Sequence, residues 1–300
     1  MVNQSKLIWQ SKTVLLLVLP FVAAYVVLQT RWWAVQMPSV AIWTVGLSIL
    51  LGLVALKLRT ATPGAAATGA VITASLMFST VSFPYQPWQT ALAPVVALLV
   101  LTSITTRIGK NRKERLGTGE GKRGRAASQV AANLGVAAIA GSDLIQSWMV
   151  DSHWFSRGTL APIPVLVPAL AALAEAAADT VSSELGQVLS SQPRMITTFR
   201  RADAGTDGAI SVGGTLAGVA AAGIVAFVGC LVLRGSLELL PMLVISWSCG
   251  VFGLFFDSLL GATLERRGWI NNDAVNFLST ASAAIFALAL LAVVPHPSLW

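Results

Sequence analysis

The sequence predicts an all-α protein, a polytopic bundle of about nine membrane-spanning helices. Only 11% of its 300 residues are charged and 55% are hydrophobic, whereas about 25% of the residues in a soluble domain are charged. Mean hydropathy is +0.73. A soluble fold of this length cannot bury so much apolar surface, which excludes a soluble enzyme. Runs such as 14–19 do not alternate as barrel strands do, so the spans are helices.

Nine apolar runs separated by polar breaks define the expected spans within one membrane domain, residues 1–300. A span needs about 20 residues to cross the hydrocarbon core. The first run follows Lys6 and Lys12 with no small-x-small cleavage site, which favours a retained span over a signal peptide. The third and fifth runs are rich in small residues, which favours positions inside the bundle. The expected spans are 13–30, 39–56, 64–82, 88–105, 127–149, 159–178, 212–233, 239–261 and 273–294.

The basic residues predict the orientation. Of the 20 Lys and Arg residues, 17 fall at the N-terminus and in alternate connections, and 3 fall in the opposite connections. The positive-inside rule therefore predicts a cytoplasmic N-terminus and an external C-terminus in a bacterial inner membrane. The basic loop 106–126 carries eight of these charges. We interpret Arg112, Lys113 and Arg115 there as solvated, with anionic lipids as partners, and no nucleic-acid-binding signature is present.

Polar residues in or beside spans are expensive in a membrane and usually functional. Here they collect at the cytoplasmic ends of the predicted spans, apart from Asp143, which lies toward the outer side and which we interpret as structural. Glu175 and Asp179 are four residues apart and share a helix face. Asp273 opens the last span, where it could cap the helix. The remaining residues of the group are Gln129, Asn133, Ser183, Glu184, Asp207, Asp257 and Asn276.

The chemistry of this group favours phosphate and a hard cation. The two histidines, His153 and His296, both map to the outer side, so a His-dependent triad or a His/Cys zinc site is unsupported. Carboxylates without imidazole suit Mg²⁺, and we expect Asp179, Glu184, Asp207 and Asp257 to be its ligands and the catalytic residues.

A glycine-rich segment, 205–214, precedes the seventh span and could turn its backbone N–H groups toward a phosphate at the helix start. The alternative for this segment is a flexible turn followed by a close-packing pair, Gly214 and Gly218. Arg125 comes just before the fifth span and Arg194 lies beside the acidic group. Both are expected to meet phosphate oxygens, for which arginine offers a two-pronged donor.

At these residues the sequence resembles the transmembrane protein 19 and phytyl-phosphate kinase family of integral membrane proteins, also called domain-of-unknown-function family 92. The resemblance runs from about 60 to 285, with Val181 where the family pattern suggests Trp. It adds Thr197, Thr198, Gly205, Thr206, Gly208 and Ser211 as phosphate-binding residues and Asn272 as polar support, beside Gln129, Asn133, Ser183 and Asn276. The matching blocks are Gln129–Asn133, Ala178–Gly186, Pro193–Thr198, Gly205–Gly208 with Ser211 and Gly214, Asp257–Thr263 and Asn271–Asn276.

The resemblance implies a membrane-embedded kinase that transfers a phosphoryl group from a nucleoside triphosphate, CTP by preference, to a phytyl or polyprenyl monophosphate with Mg²⁺. Two alternatives remain open. A transporter or flippase of a lipid phosphate would also use buried acids and glycine-interrupted helices, although its site should lie near the midplane. Cytidylyl or phosphatidyl transfer onto a lipid alcohol would also use carboxylates and metal, but the dense aspartate motif that we expect for it is missing.

Overall fold

A computed structural model describes residues 7–116, 124–151, 166–189, 192–233 and 239–293. Eleven α-helices are found in these ranges, with one small antiparallel hairpin of strands β1 (Arg194–Met195) and β2 (Ala209–Ile210). The helices are α1 Ile8–Gln36, α2 Pro38–Lys57, α3 Pro63–Phe78, α4 Leu92–Arg107, α5 Lys110–Leu116, α6 Ala127–Gly141, α7 Asp143–Asp151, α8 Val167–Leu189, α9 Val212–Leu233, α10 Leu239–Leu260 and α11 Asn272–Val293.

The architecture is that of an all-α membrane protein. Within the described ranges, five helices are long and apolar enough to cross a membrane: 8–36, 38–57, 212–233, 239–265 and 272–291. α3, α4 and α6 are shorter apolar helices. On α1 only one face is buried, at Val14, Val18, Val22 and Tyr25, while large apolar side chains on the other faces, such as Leu16, are exposed. Such an outer surface is suited to lipid contact.

Helix α8 forms the centre of the bundle. Every residue from Val167 to Ala178 is buried, and the helix packs against α4, α6, α9, α10 and α11. Its contact with α9 is close because the facing residues are glycines: a Cβ on Gly214 would lie 2.7 Å from the Ser182 carbonyl oxygen, and one on Gly218 would lie 2.7 Å from that of Ala178. Gly214 and Gly218 thus form the close-packing pair that the sequence suggested.

Three predicted segments differ from the structure. The fifth span, 127–149, is broken at Ser142, whose hydroxyl bonds back to the Ile139 carbonyl at 2.7 Å, so α6 ends at Gly141 and α7 begins after it. The sixth span was predicted as 159–178, yet α8 continues to Leu189, and residues 159–165 lie outside the described residues. The loop 106–126 contains a short helix, α5, and its residues 117–123 lie outside the described part of the chain.

Polar contacts at both ends of the first helix tie it to the rest of the bundle. Asp143 accepts hydrogen bonds from Tyr25 (2.8 Å) and from Gln29 (2.9 Å), so its role is structural. At the other end of α1, the Asn271 side chain donates to the Leu7 carbonyl at 2.9 Å and caps α11 by accepting from the Ala274 N–H at 2.9 Å. The cap of α11 is therefore Asn271 and not Asp273, which is buried inside the first turn.

Candidate functional site

A polar cavity of about 370 Å³ lies where α6, α8, α10 and α11 meet the loop between β1 and α9. The volume falls in the range of small-molecule sites. The structure brings most of the predicted residues into its wall, although they come from five separate stretches of the chain. Those that line it are Arg125, Gln129, Asn133, Asp179, Ser183, Glu184, Gly205, Thr206, Asp207, Gly208, Ser211, Asp257, Asn272 and Asn276.

Helix α8 supplies the acidic side of the cavity. Because α8 continues to Leu189, Asp179, Ser183 and Glu184 lie on successive turns of one helix and not in a loop after it. The Ser183 hydroxyl donates to Asp179 Oδ1 at 3.4 Å. Asp179 itself lines the cavity, so its carboxylate can contact a ligand there.

Glu184 is engaged in a buried ion pair with Lys113 of α5. The Lys113 side chain is only 3% exposed, and its Nζ also donates to the Thr105 carbonyl at 2.8 Å and to the Thr106 carbonyl at 3.3 Å. The Thr106 hydroxyl donates to the second oxygen of Glu184 at 3.3 Å. The interpretation of Lys113 as solvated was therefore wrong, because α4, α5 and α8 enclose it.

The neighbouring Arg112 is also held, since its Nη1 donates to the Val188 carbonyl at 3.0 Å. α5 is thus fastened to α8 at two points. The basic segment that the sequence marked as a topology signal is, at Arg112 and Lys113, part of the support of the cavity.

Helix α10 contributes the least satisfied carboxylate. Asp257 lines the cavity, and its Oδ2 is buried without a hydrogen-bond partner among the described residues. Such an atom is costly in a low-dielectric environment unless a ligand or ion completes it. Glu175, a turn before Asp179 on α8, is 1% exposed and its Oε1 is equally unpartnered in the described part of the chain, but it does not line the cavity.

The glycine-rich loop forms a further part of the cavity wall. Gly205 and Gly208 have positive φ values of 86° and 72°, which favour glycine. A Cβ on Gly208 would lie 2.2 Å from the backbone nitrogen of Ala262, so the loop is pressed against the end of α10. That end is a π-helical turn, Gly261–Glu265, closed by the Arg266 N–H to the Gly261 carbonyl at 3.2 Å. The loop can therefore present backbone groups to the cavity without a side chain in the way.

Arg125 is positioned by its backbone. Its N–H donates to the Thr60 carbonyl at 3.0 Å, and its own carbonyl accepts from the Thr62 N–H at 3.0 Å. The preceding Gly124 has a φ of 76°, and a Cβ there would lie 2.6 Å from the Ala61 nitrogen. The connection between α2 and α3 thus fixes the point from which the Arg125 side chain enters the cavity wall.

The amide side chains at the base of the cavity have defined partners. Asn276 Nδ2 donates to Asn133 Oδ1 at 2.9 Å, which joins α11 to α6. Gln129 Oε1 accepts from the Ala126 N–H at 2.7 Å and so closes the first turn of α6. The Asn133–Asn276 bond therefore joins two walls of the cavity, and Gln129 fixes the start of α6.

Three predicted phosphate-binding residues are not in the cavity wall. Arg194 lies in β1, and Thr197 and Thr198 lie in the turn that follows it; Arg194 Nη1 donates to the Phe199 carbonyl at 3.0 Å. Phe199 has a φ of 54°, so the turn is tight and the arginine closes it. Arg125 therefore lines the cavity and Arg194 does not, although the sequence had grouped the two.

Asp207 is the predicted acid that lies in the loop itself. Desolvation by the surrounding protein raises the pKa of its carboxyl, and the positive charge of Arg266 lowers it by a smaller amount. The carboxylate form therefore requires a higher pH than in a free aspartate, although Arg266 counters this effect.

Glu265 also lines the cavity and was not predicted. It lies eight residues after Asp257, in a Thr-Leu-Glu-Arg-Arg stretch that reads as the solvated end of a span. The i, i+4, i+8 spacing of Asp257, Gly261 and Glu265 was the available signal. After Gly261 the helix is π-helical, which changes the direction of the side chains that follow relative to an α-helix. The sequence does not indicate this change.

Comparison with known proteins gives the family. Residues 46–284 match the integral membrane protein DUF92 family. The chain belongs to this family. The match confirms the resemblance found in the motifs, and the matched range contains every residue of the cavity wall.

Among DUF92-related sequences, the chain is 39% identical over 125 residues to the uncharacterized membrane protein MJ0933 of Methanocaldococcus jannaschii, covering 42% of this chain and 51% of that protein. It is 28% identical over 209 residues to Protein VTE6, chloroplastic, of Arabidopsis thaliana (65% and 57%). It is 30% identical over 203 residues to the uncharacterized membrane protein sll0875 of Synechocystis (65% and 72%). The match thus spans little more than half the length of the first two. No solved structure matches the chain.

The donor set of the DUF92 cavity fits a hard cation that shares its coordination shell with phosphate. Among the described residues, no three acidic, histidine or cysteine side chains form a complete metal-binding group. Mg²⁺ usually binds through one or two carboxylates together with waters and substrate phosphates. Asp179 and the unpartnered oxygen of Asp257 supply carboxylate donors of this kind, whereas Glu184 is already paired with Lys113.

Proposed function

We propose that this DUF92 protein is a membrane-embedded prenyl-phosphate kinase, which transfers a phosphoryl group from a nucleoside triphosphate to a phytyl or polyprenyl monophosphate. One observation supports this most strongly: Asp179, Asp207, Asp257 and Arg125 converge on one polar cavity together with a glycine-rich loop. Acids and an arginine around such a loop are the parts that phosphoryl transfer requires.

The reaction suits a cavity in which no histidine is found among the described lining residues. A phosphate monoester is already an oxyanion at neutral pH, so its oxygen can attack the γ-phosphorus without a strong base. Catalysis then consists of positioning and charge neutralisation. The diphosphate ester is formed, and the nucleoside diphosphate leaves.

Each wall has a role in this proposal. Arg125 binds the phosphate of the acceptor through its two-pronged donor. Backbone N–H groups of the loop around Gly208 donate hydrogen bonds to phosphate oxygens. Asp179 and Asp257 would hold Mg²⁺, and Asp207 of the glycine-rich loop would supply a further carboxylate. When bound, Mg²⁺ neutralises charge on the phosphoryl oxygens during transfer. Glu184 keeps α5 and α8 together through Lys113 and takes a smaller part in metal binding.

Two further elements of the proposal rest on the sequence. CTP as the donor and a prenyl phosphate as the acceptor are what the family resemblance implies, and the DUF92 match supports that resemblance. The charge asymmetry of the connections supports a site at the cytoplasmic face of the inner membrane, in a nine-span arrangement.

A transporter or flippase of a lipid phosphate is the second candidate. The observation in its favour is Glu175, a fully buried acid in the apolar half of α8, whose Oε1 has no partner among the described residues. Intramembrane acids of this kind also serve proton or ion coupling in transporters.

The test is to incubate the purified protein in detergent with labelled CTP or ATP, Mg²⁺ and a panel of isoprenyl monophosphates. Formation of labelled prenyl diphosphate, lost in Asp257→Asn, is the expected result. Transport of the monophosphate into proteoliposomes with no diphosphate formed would favour the second candidate and overturn the kinase proposal.

A further inference from the structure

A second cavity, of about 100 Å³, lies beside the polar one between α2, α3, α4 and α6. In contrast to the first cavity, its wall is mainly apolar, with Leu51, Val95, Leu98, Val130 and Leu134 among the lining residues. The proposed function assigns nothing to it.

The cavity results from small residues on α3. Ala65, Ala66, Gly69 and Thr73 line it from that helix. α2 approaches α3 closely at Gly52, where a Cβ would lie 2.9 Å from the Ala66 carbonyl oxygen. At Gly69, by contrast, the nearest atom outside α3 among the described residues, Val130 Cγ1, would be 3.8 Å from a Cβ. The space at Gly69 is therefore open, and a larger side chain there would occupy the cavity.

The two cavities share one residue, Arg125, which lines both. A second link is Thr106, which lines the apolar cavity and donates to Glu184 in the wall of the polar one. Ser103 also lines the apolar cavity, and its buried Oγ has no hydrogen-bond partner among the described residues. A polar cavity and an apolar one that meet at an arginine match a molecule with an anionic head and a hydrocarbon chain.

We infer that the apolar cavity binds the first part of the hydrocarbon chain of a lipid monophosphate, while Arg125 holds its phosphate at the boundary. The choice of ligand rests on the proposed function. An apolar cavity of about 150 Å³ takes a benzene ring, so 100 Å³ suits a unit of about four or five carbons, close to one isoprene unit. The rest of a longer chain extends out of the cavity.

The apolar cavity is then the part of the protein that selects the acceptor. The polar cavity binds the phosphate group, which is also present in inorganic phosphate and in short-chain esters. The apolar cavity binds the carbons next to the ester oxygen, and each CH₂ that is buried there contributes about 0.8 kcal/mol to the free energy of binding. Discrimination between a prenyl monophosphate and a short-chain phosphate should therefore depend on the space at Gly69.

The experiment measures binding and not turnover, so it is informative even if no phosphoryl transfer is found. Full-length protein in nanodiscs is titrated with geranyl monophosphate and with methyl phosphate by calorimetry. Gly69→Leu fills the cavity from α3, and Leu98→Phe fills it from α4. The matched controls are Gly46→Leu, on α2 where nothing lies within 4 Å of a Cβ, and Val100→Phe, at an exposed position of α4.

Both filling variants are expected to weaken geranyl monophosphate binding at least tenfold and to change methyl phosphate binding less than twofold. The two controls are expected to bind geranyl monophosphate as the wild type does. Because methyl phosphate reports on the polar cavity, its unchanged binding also shows that the variant is folded. Equal losses for the two ligands, unchanged binding of geranyl monophosphate, or no binding of it by the wild type would each overturn the inference. A wild type that binds geranyl monophosphate with the expected dependence but forms no diphosphate would instead refute the kinase proposal alone.

Discussion

Lys113 and Glu184 form an ion pair that is buried between α5 and α8, with the lysine side chain 3% exposed and the glutamate 14% exposed. Few lysines are enclosed so completely unless an acid neutralises them. The pair joins a short basic helix to the wall of the polar cavity, so the conformation of the loop after α4 and that of the site are coupled.

The first prediction concerns this pair. Lys113→Ala leaves Glu184 without its partner and should destabilise the fold by about 3 kcal/mol, the cost of breaking a buried pair on one side. The measurement is thermal unfolding in detergent. The double variant Lys113→Ala/Glu184→Gln should regain part of the loss. Lys110→Ala is the control, since Lys110 is 70% exposed and its surface pair is worth under about 1 kcal/mol. Equal effects at 110 and 113 would contradict the prediction.

The second prediction concerns Asp257. Asp257→Asn keeps the size of the side chain and removes a buried charge whose Oδ2 is unpartnered among the described residues. Kinase turnover should fall at least about 100-fold, or ~2.7 kcal/mol of transition-state stabilisation, while the melting temperature is maintained or rises. Asp203→Asn, in an exposed part of the loop outside the cavity wall, should change neither quantity. Near-normal turnover of Asp257→Asn would remove Asp257 from the site.

The third prediction separates two arginines. Arg125→Lys keeps the charge but loses the two-pronged donor in the cavity wall, so kcat/KM should fall at least tenfold, about 1.4 kcal/mol. Arg194→Lys should leave turnover within about twofold, because Arg194 closes a turn at the surface by donating to the Phe199 carbonyl. Steady-state assays at matched expression compare the two. A similar loss in both variants would show that Arg194 reaches the substrate.

The fourth prediction is a pH dependence. The pKa of Asp207 is raised by desolvation and lowered by Arg266, and the carboxylate is the form that binds metal. Activity should therefore fall as the pH decreases through this raised pKa. Arg266→Gln removes the opposing charge, raises the pKa further and should move the acid limb of the kcat/KM profile to higher pH. An acid limb that stays in place in Arg266→Gln would exclude Asp207 as its source.

The fifth prediction concerns topology. A cysteine introduced at Gly119 should be labelled only from the cytoplasmic side, and one at Ser156 only from the outside; both positions lie outside the described residues. The two native cysteines, Cys230 and Cys249, are buried, and the wild-type chain, which has no others, serves as the background. Labelling of both introduced positions from the same side would refute the nine-span arrangement.

Much of the fold could be predicted where apolar runs have sharp polar boundaries. The predicted span 212–233 coincides with α9, and 239–261 and 273–294 differ from α10 and α11 by one residue at their ends. α8 was harder because its last turns carry the acids of the site, so hydropathy ends before the helix does. Hydropathy reflects the environment around a helix. The turns of a helix that line a polar cavity are polar, so hydropathy does not identify them as part of the helix.

The candidate site was predictable to the extent that its acids share one end of the bundle. Asp179 of α8, Asp257 of α10 and Asp207 of the loop before α9 line the same cavity. The burial of Lys113 was not predictable, because a run of Lys, Arg and Glu has the composition of a solvated surface whether or not a neighbouring helix covers it.

The Asn271 side chain, which caps α11 and also contacts the start of α1, has a consequence for biosynthesis. α11 contributes Asn272 and Asn276 to the polar cavity, so the cavity cannot close until the ribosome has made almost all of the described chain. Until then, the start of α1 lacks its contact with Asn271, some 260 residues later in the chain. A product that stops short of α11 would insert its earlier helices yet never gain a working site.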